Sequence, residues 1–144
     1  MRVPWQAVLL LLATFGLGGC ATSQVQKATV DPPIAFVPDV SDEEWQAAMP
    51  MKGSSIEMPR LLRGEARLDA EGLLALNETA VTTISMVIRA DGSVGLYRVV
   101  KSTNPKVTDR VIRMLRGQRY EPPLLNGQPV AARGDVSEEL TRVH

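Results

Sequence analysis

Apolar and polar residues alternate on both sides of Ala90-Asp91-Gly92-Ser93, and this alternation is the clearest pattern in the chain. Ile84, Met86 and Ile88 share one parity before the turn; Gly95, Tyr97 and Val99 share the matching parity after it. Asp-Gly suits a two-residue type I′ loop, whose central positions both need φ > 0. Pairing outward from such a loop sets Ile88 opposite Gly95, Met86 opposite Tyr97 and Ile84 opposite Val99, on one face of a hairpin. The other face, Thr83, Ser85, Val87, Leu96, Arg98 and Val100, is mixed. The pattern predicts strands over about 81–89 and 94–101.

The period then changes to that of a helix. Val107, Val111 and Leu115 recur at helical spacing, with Ile112 and Met114 beside them, a stripe wide enough to cover one hairpin face. Asn104 suits the N-cap and Pro105 the first helical position. Arg110, Arg113 and Arg116 form the solvated face, and Gly117 is placed as the C′ residue. Arg119-Tyr120-Glu121-Pro122-Pro123 must be extended, since proline bars both helix and central strand. Asn126-Gly127 marks a turn. Residues from Gln128 to about Leu140 supply a third strand, interrupted by Gly134, Asp135, Glu138 and Glu139. The fold class is α+β: a small antiparallel sheet of about three strands packed against one or two helices, over residues 56–144.

Upstream, residues 20–55 read as a mostly flexible tether, small and polar at first and then proline-interrupted. Within it, Ser41-Asp42-Glu43-Glu44 has capping-box spacing, Ser41 accepting from the Glu44 amide while Glu44 reaches back. The short helix it opens carries Trp45 and Met49 on one face and stops at Pro50. Trp45 is a docking handle, for the chain's own domain in preference to a partner, because a lone wet tryptophan is uncommon.

The first residues change the setting. A short basic start precedes an apolar run from about Ala7, which ends in Leu17-Gly18-Gly19-Cys20. The run falls short of the roughly 20 residues a membrane span needs. It resembles a bacterial lipoprotein signal peptide with its lipobox. That resemblance implies that residues 1–19 are removed and that the chain's single cysteine, Cys20, is lipidated as the membrane attachment. Ala21 after it, by the same resemblance, favours the periplasmic face of the outer membrane over the inner membrane.

Composition narrows the chemistry. Sixteen acidic residues balance sixteen basic ones, so no overall field draws nucleic acid. The sole histidine is the terminal His144, which leaves a Ser-His pair or a His-rich metal site without material. Asp69, Asp91, Asp109, Glu121 and Asp135 show no paired spacing around a nucleophile. No enzymatic activity, metal or cofactor is expected.

Ile88-Arg-Ala-Asp-Gly-Ser-Val94, Arg98-Val-Val-Lys-Ser-Thr103, the helix, Arg119-Tyr-Glu-Pro122 and Asn126-Gly-Gln-Pro-Val130 together resemble the C-terminal domain of TonB-type energy transducers. Pro59-Arg-Leu-Leu-Arg-Gly64 is similar to the segment that often precedes that family's first strand. The resemblance spans about Met58 to Leu140 and implies an antiparallel sheet with helices on one face. It also implies that an extended segment of an envelope protein partner adds to the sheet edge at the last strand. The edge residues expected there are Val130, Ala132, Gly134 and Val136. Three positions depart from the family: Gln118 stands where a tryptophan is usual, no Tyr-Pro pair precedes the first strand, and Glu138 replaces an apolar residue. A lipobox and a short tether also stand in for the transducer's inner-membrane helix and long linker. The expected function is a non-catalytic envelope lipoprotein that binds a protein partner. An atypical transducer or accessory subunit in TonB-dependent transport is the alternative, and homodimerisation through the last strand is left open.

Overall fold

The computed structural model describes residues 35–144. The expected signal peptide, Cys20 and the start of the tether lie outside these residues. The elements run α1 (Asp42–Ala47), β1 (Met49–Pro50), β2 (Leu61–Arg63), β3 (Thr79–Ile88) and β4 (Val94–Ser102). They continue through α2 (Pro105–Arg116), β5 (Arg119–Tyr120), β6 (Leu124–Leu125), β7 (Gln128–Pro129) and β8 (Ala132–Thr141). The main sheet has the order β1-β8-β3-β4. Its three long strands are antiparallel, as expected, and β1 joins β8 in parallel.

The hairpin forms where alternation places it, but its turn differs. Arg89 donates to the Ser93 carbonyl and Gly92 donates to the Arg89 carbonyl, each at 2.8 Å. Gly92 alone in the loop has positive φ, at 86°. The connection is therefore a three-residue loop ending in a left-handed glycine, not a two-residue type I′ loop. Asp91 fixes it by accepting from the Ser93 amide at 2.9 Å. The longer loop shifts the register by one: Ile88 opposes Val94 and Met86 opposes Leu96. An irregularity between Ser85 and Met86 restores the expected Ile84–Val99 pair, and a second, between Thr83 and Ile84, moves the register on again. The shift exchanges two side chains, burying Leu96 in the core beneath α2 and moving Tyr97 to the other face.

On the first face, Ile84, Met86, Ile88 and Leu96 pack against Val107, Val111 and Leu115 of α2. Asn104 caps that helix, its side chain accepting from Lys106 and Val107 at 3.0 and 3.3 Å. Gly117 ends the helix in right-handed conformation (φ −83°), not as a left-handed C′ residue. Its amide is shared by the Arg113 and Met114 carbonyls, a bifurcated ending of the kind common at helix termini. The buried Gln118 bridges two neighbours: it donates to the Glu65 carbonyl at 2.7 Å and accepts from the Tyr120 hydroxyl at 2.8 Å. A polar bridge thus occupies the position where the resemblance leads to the expectation of a tryptophan.

Residues 35–51, expected as flexible tether, instead cross the opposite face as a strap. At one end the Asp39 amide donates to the Leu96 carbonyl on the β4 edge, at 2.8 Å. In the middle Val40 and Ala48 bury against Val87, and Trp45 stacks on Tyr97 with ring centroids 4.6 Å apart. At the other end β1 pairs with β8. The domain therefore begins near residue 35 and not at 56, because the strap buries apolar side chains and satisfies its own backbone on the sheet. Ser41 caps α1 as expected, but Glu44 does not reach back; its carboxylate accepts from Arg89 at 2.6 Å. Met49 lies on β1, beyond the end of α1, instead of sharing a helix face with Trp45.

The segment after α2 is extended as expected, with β5 pairing antiparallel to β2. Asn126 and Gly127 both have positive φ and turn β6 into β7. That small hairpin takes Gln128, so the third long strand starts at Ala132.

Candidate functional site

β8 reaches its full length because β3 offers ten residues to pair with it. The register runs without a shift from Ile88–Ala132 to Thr79–Thr141. This continuity overrides the weak sequence pattern of β8, since each backbone pair forms whatever the side chains are. Backbone groups alternate in direction along a strand, and two sets of bonds fix which point outward. Met49 and Met51 donate to the Ala131 and Arg133 carbonyls at 2.9 Å, on the edge away from β3. Arg142 donates to Glu78, at the start of β3, at 3.0 Å. Odd-numbered residues therefore face outward and even-numbered ones face β3.

This alternation places the expected edge residues. Ala132, Gly134 and Val136 lie opposite Ile88, Met86 and Ile84, with their backbone turned to β3. Val130 lies before the strand, and its amide donates to the Pro123 carbonyl at 2.9 Å. Sequence reasoning found the strand but missed its parity by one residue. The outward groups belong to Ala131, Arg133, Asp135, Ser137, Glu139 and Thr141. β1 takes the first two. From Asp135 to Thr141 the edge is open among the described residues.

Side chains furnish this edge on both faces. Away from α2, Asp135 accepts from Ser85 at 2.6 Å, and Thr83–Ser137 and Thr79–Thr141 form hydroxyl pairs at 3.0 and 2.9 Å. These cross-strand pairs pin the register. Toward α2, Val136 and Leu140 pack on the core with Glu138 between them. Partial burial pushes the Glu138 carboxyl above the usual range. Tyr120 is raised as well, first by burial and then by the charge of Glu138.

Two clefts bracket the open edge. One, of about 560 Å³, lies where β1 ends and is lined by Trp45, Pro50, Met51, Met58, Gly134 and Asp135 among others. The Met51 methyl lies over Gly134, where a side chain on β8 would collide with it. The other, of about 460 Å³, lies at the far end and includes Leu68, Leu76, Leu140 and Val143. The two have exposed sulfur or aliphatic surface at Met58, Leu76 and Val143.

The opposite edge of the sheet is less free. Beyond the Asp39–Leu96 bond, the Leu96 amide donates to the Asp39 carboxylate at 3.2 Å, and Arg116 donates to the same carboxylate at 3.0 Å. The arginines of α2 are engaged: Arg110 pairs with Glu65, Arg113 with Asp109 and Arg116 with Asp39. Among the described residues no helix is long and apolar enough to cross a membrane, and no group of three or more His, Cys, Asp or Glu could hold a metal ion.

Residues 73–137 match the family described as Gram-negative bacterial TonB protein C-terminal. No curated protein matches the chain. The matched segment runs from the approach to β3 into the middle of β8, and the strap lies outside it.

Proposed function

We propose, from the match of residues 73–137 to the TonB C-terminal family, a non-catalytic, lipid-anchored envelope protein that binds an extended segment of a protein partner. The partner adds as a strand along the open edge of β8. The observation that carries this reading is the run of outward backbone groups at Asp135, Ser137, Glu139 and Thr141. Exposed edges of this kind are normally blunted or covered, and addition of a strand is an established mode of peptide recognition. β1 already occupies the same lane, which supports the geometry of a further strand beyond it.

The anchor is Cys20, at the periplasmic face of the outer membrane. The Leu17-Gly18-Gly19-Cys20 ending and Ala21 support it. Mass spectrometry of membrane-extracted protein should then show a chain starting at an acylated Cys20; an intact Met1 or a free thiol at residue 20 would refute the anchor.

The edge itself is tested by placing a photo-crosslinking side chain at Ser137 and, separately, at Val100 on β4, in the full chain within cells. Adducts should form at position 137 and be lost when Glu139→Pro removes an outward amide. Equal adducts at both positions, or adducts unaffected by the proline, would move the binding surface away from β8. Participation in TonB-dependent transport as an atypical transducer is a second reading, favoured by the family match alone. It predicts co-purification with an inner-membrane motor complex.

A further inference from the structure

The open edge of β8 is acidic, and its carboxylates form no ion pair among the described residues; Lys52 lines the cleft beside Asp135 without pairing to it. Asp135, Glu138 and Glu139 all lie along it, while the five ion pairs among the described residues use other carboxylates. Asp135 has a hydroxyl partner in Ser85. The nearest cations on the strand are committed elsewhere. Arg133 donates to the Trp45 carbonyl at 3.1 Å and lies over the Trp45 ring, and Arg142 donates to the Leu74 carbonyl at 2.9 Å. Lys101 lies two strands away, opposite Thr83 on β4.

The three carboxylates are distributed over both faces of the strand. Asp135 and Glu139 stand on the face away from α2, and Glu138 on the face toward it. A strand laid against this edge would place its own residues beside them on both faces, whichever register it took. Opposite charges in such cross-strand positions attract and like charges repel. Glu138 is partly desolvated, so a cation beside it would recover stabilisation that solvent no longer gives.

We infer that the partner segment is a basic one: an extended stretch carrying Lys or Arg at alternating positions, running beside residues 135–141. This rests on the strand-addition reading above and adds to it the charge of the occupant. Acidic and neutral apolar segments are excluded as preferred occupants, the first by repulsion and the second because it would leave the edge carboxylates without a counter-charge. The clefts at either end suit apolar residues flanking the basic stretch.

The test uses the full chain and three synthetic probes with the same alternating Thr/Val framework. One carries Lys at alternate positions, one carries Glu there, and the third is the Lys peptide with alternate backbone amides N-methylated. Binding is read by fluorescence anisotropy at low and physiological salt. The Lys peptide should bind at least about tenfold more tightly than the Glu peptide, the scale of two or three cross-strand charge pairs changing sign. The preference should shrink as salt screens the exposed charges. Glu138→Lys with Glu139→Lys should reverse it, with circular dichroism checking the fold; should that variant fail to fold, the wild-type ratio and its salt dependence decide.

Equal binding of the Lys and Glu peptides, both lost on methylation, would overturn the basic-partner inference and leave strand addition standing. Undiminished binding of the methylated Lys peptide would instead overturn strand addition. Failure of the unmodified Lys peptide to bind at millimolar concentration would overturn both.

Discussion

Single residues in this domain are constrained by what lies on the far side of the sheet or loop from them. Gly92 combines positive φ with a position directly under the Tyr120 carbonyl, where a Cβ would collide. Gly92→Ala should therefore be poorly folded by circular dichroism, although alanine is small. Leu115 is fully buried beneath the sheet, so Leu115→Ala should cost about 2–5 kcal/mol in chemical denaturation. Arg113 pairs only with the exposed Asp109, and Arg113→Ala should cost about 0.5 kcal/mol or less. Glu138 gives a pH dependence. A carboxyl held above its unfolded value favours the folded state when protonated; that contribution is fully present below about pH 4.5 and is lost as pH rises through the raised value. Glu138→Gln should hence melt higher than wild type at neutral pH, with the gap closing as the pH falls through the raised value and staying closed below about 4.5. Tyr120, whose raised state depends partly on that charge, should titrate closer to its ordinary value in the same variant.

At the scale of elements, the parity of β8 decides which proline is tolerated. Ala132 turns its backbone to Ile88 on β3, so Ala132→Pro should break the central sheet and lower the melting temperature severely. Glu139→Pro removes an outward amide and should leave the fold intact by circular dichroism. The hairpin and α2 were legible because their signals are local: an Asp-Gly turn between alternating runs, and an apolar stripe behind Asn104-Pro105. What local pattern could not fix was the number of residues in the turn, and with it the exchange of Leu96 for Tyr97. The Asp-Gly pair serves either loop; the position of Tyr120 against Gly92, 28 residues later, selects the longer one. The same limit applied to the site. The strand was readable near Gln128–Leu140, but its outward parity follows from pairing with β3 and β1, which no periodicity within β8 records. The strap was legible only through Trp45 and the cap at Ser41, since its two-residue strand is too short to carry a pattern.

The molecule as a whole is a matched segment with an added strap, and the strap sets the order in which the parts can be completed. Its contacts join residue 39 to 96, 45 to 97 and 49 to 132, whereas β3, β4 and α2 are neighbours in sequence. Closing long loops is entropically slower than zipping adjacent elements. The strap is thus made before the rest of the domain, and its β1 end has nowhere to dock until β8 exists. Trp45 is the only tryptophan in residues 35–144, so its emission reports that docking alone. In refolding of the domain, its signal should lag the far-ultraviolet signal of the sheet and α2. Tyr97→Ala should mainly hasten unfolding and scarcely slow refolding, as expected for contacts absent from the transition state. A chain halted before residue 131 would hold Trp45 beside an unfinished sheet. A newly made chain therefore passes through an interval in which an apolar strap and an unpaired β3 are exposed together, the period when it most needs a chaperone.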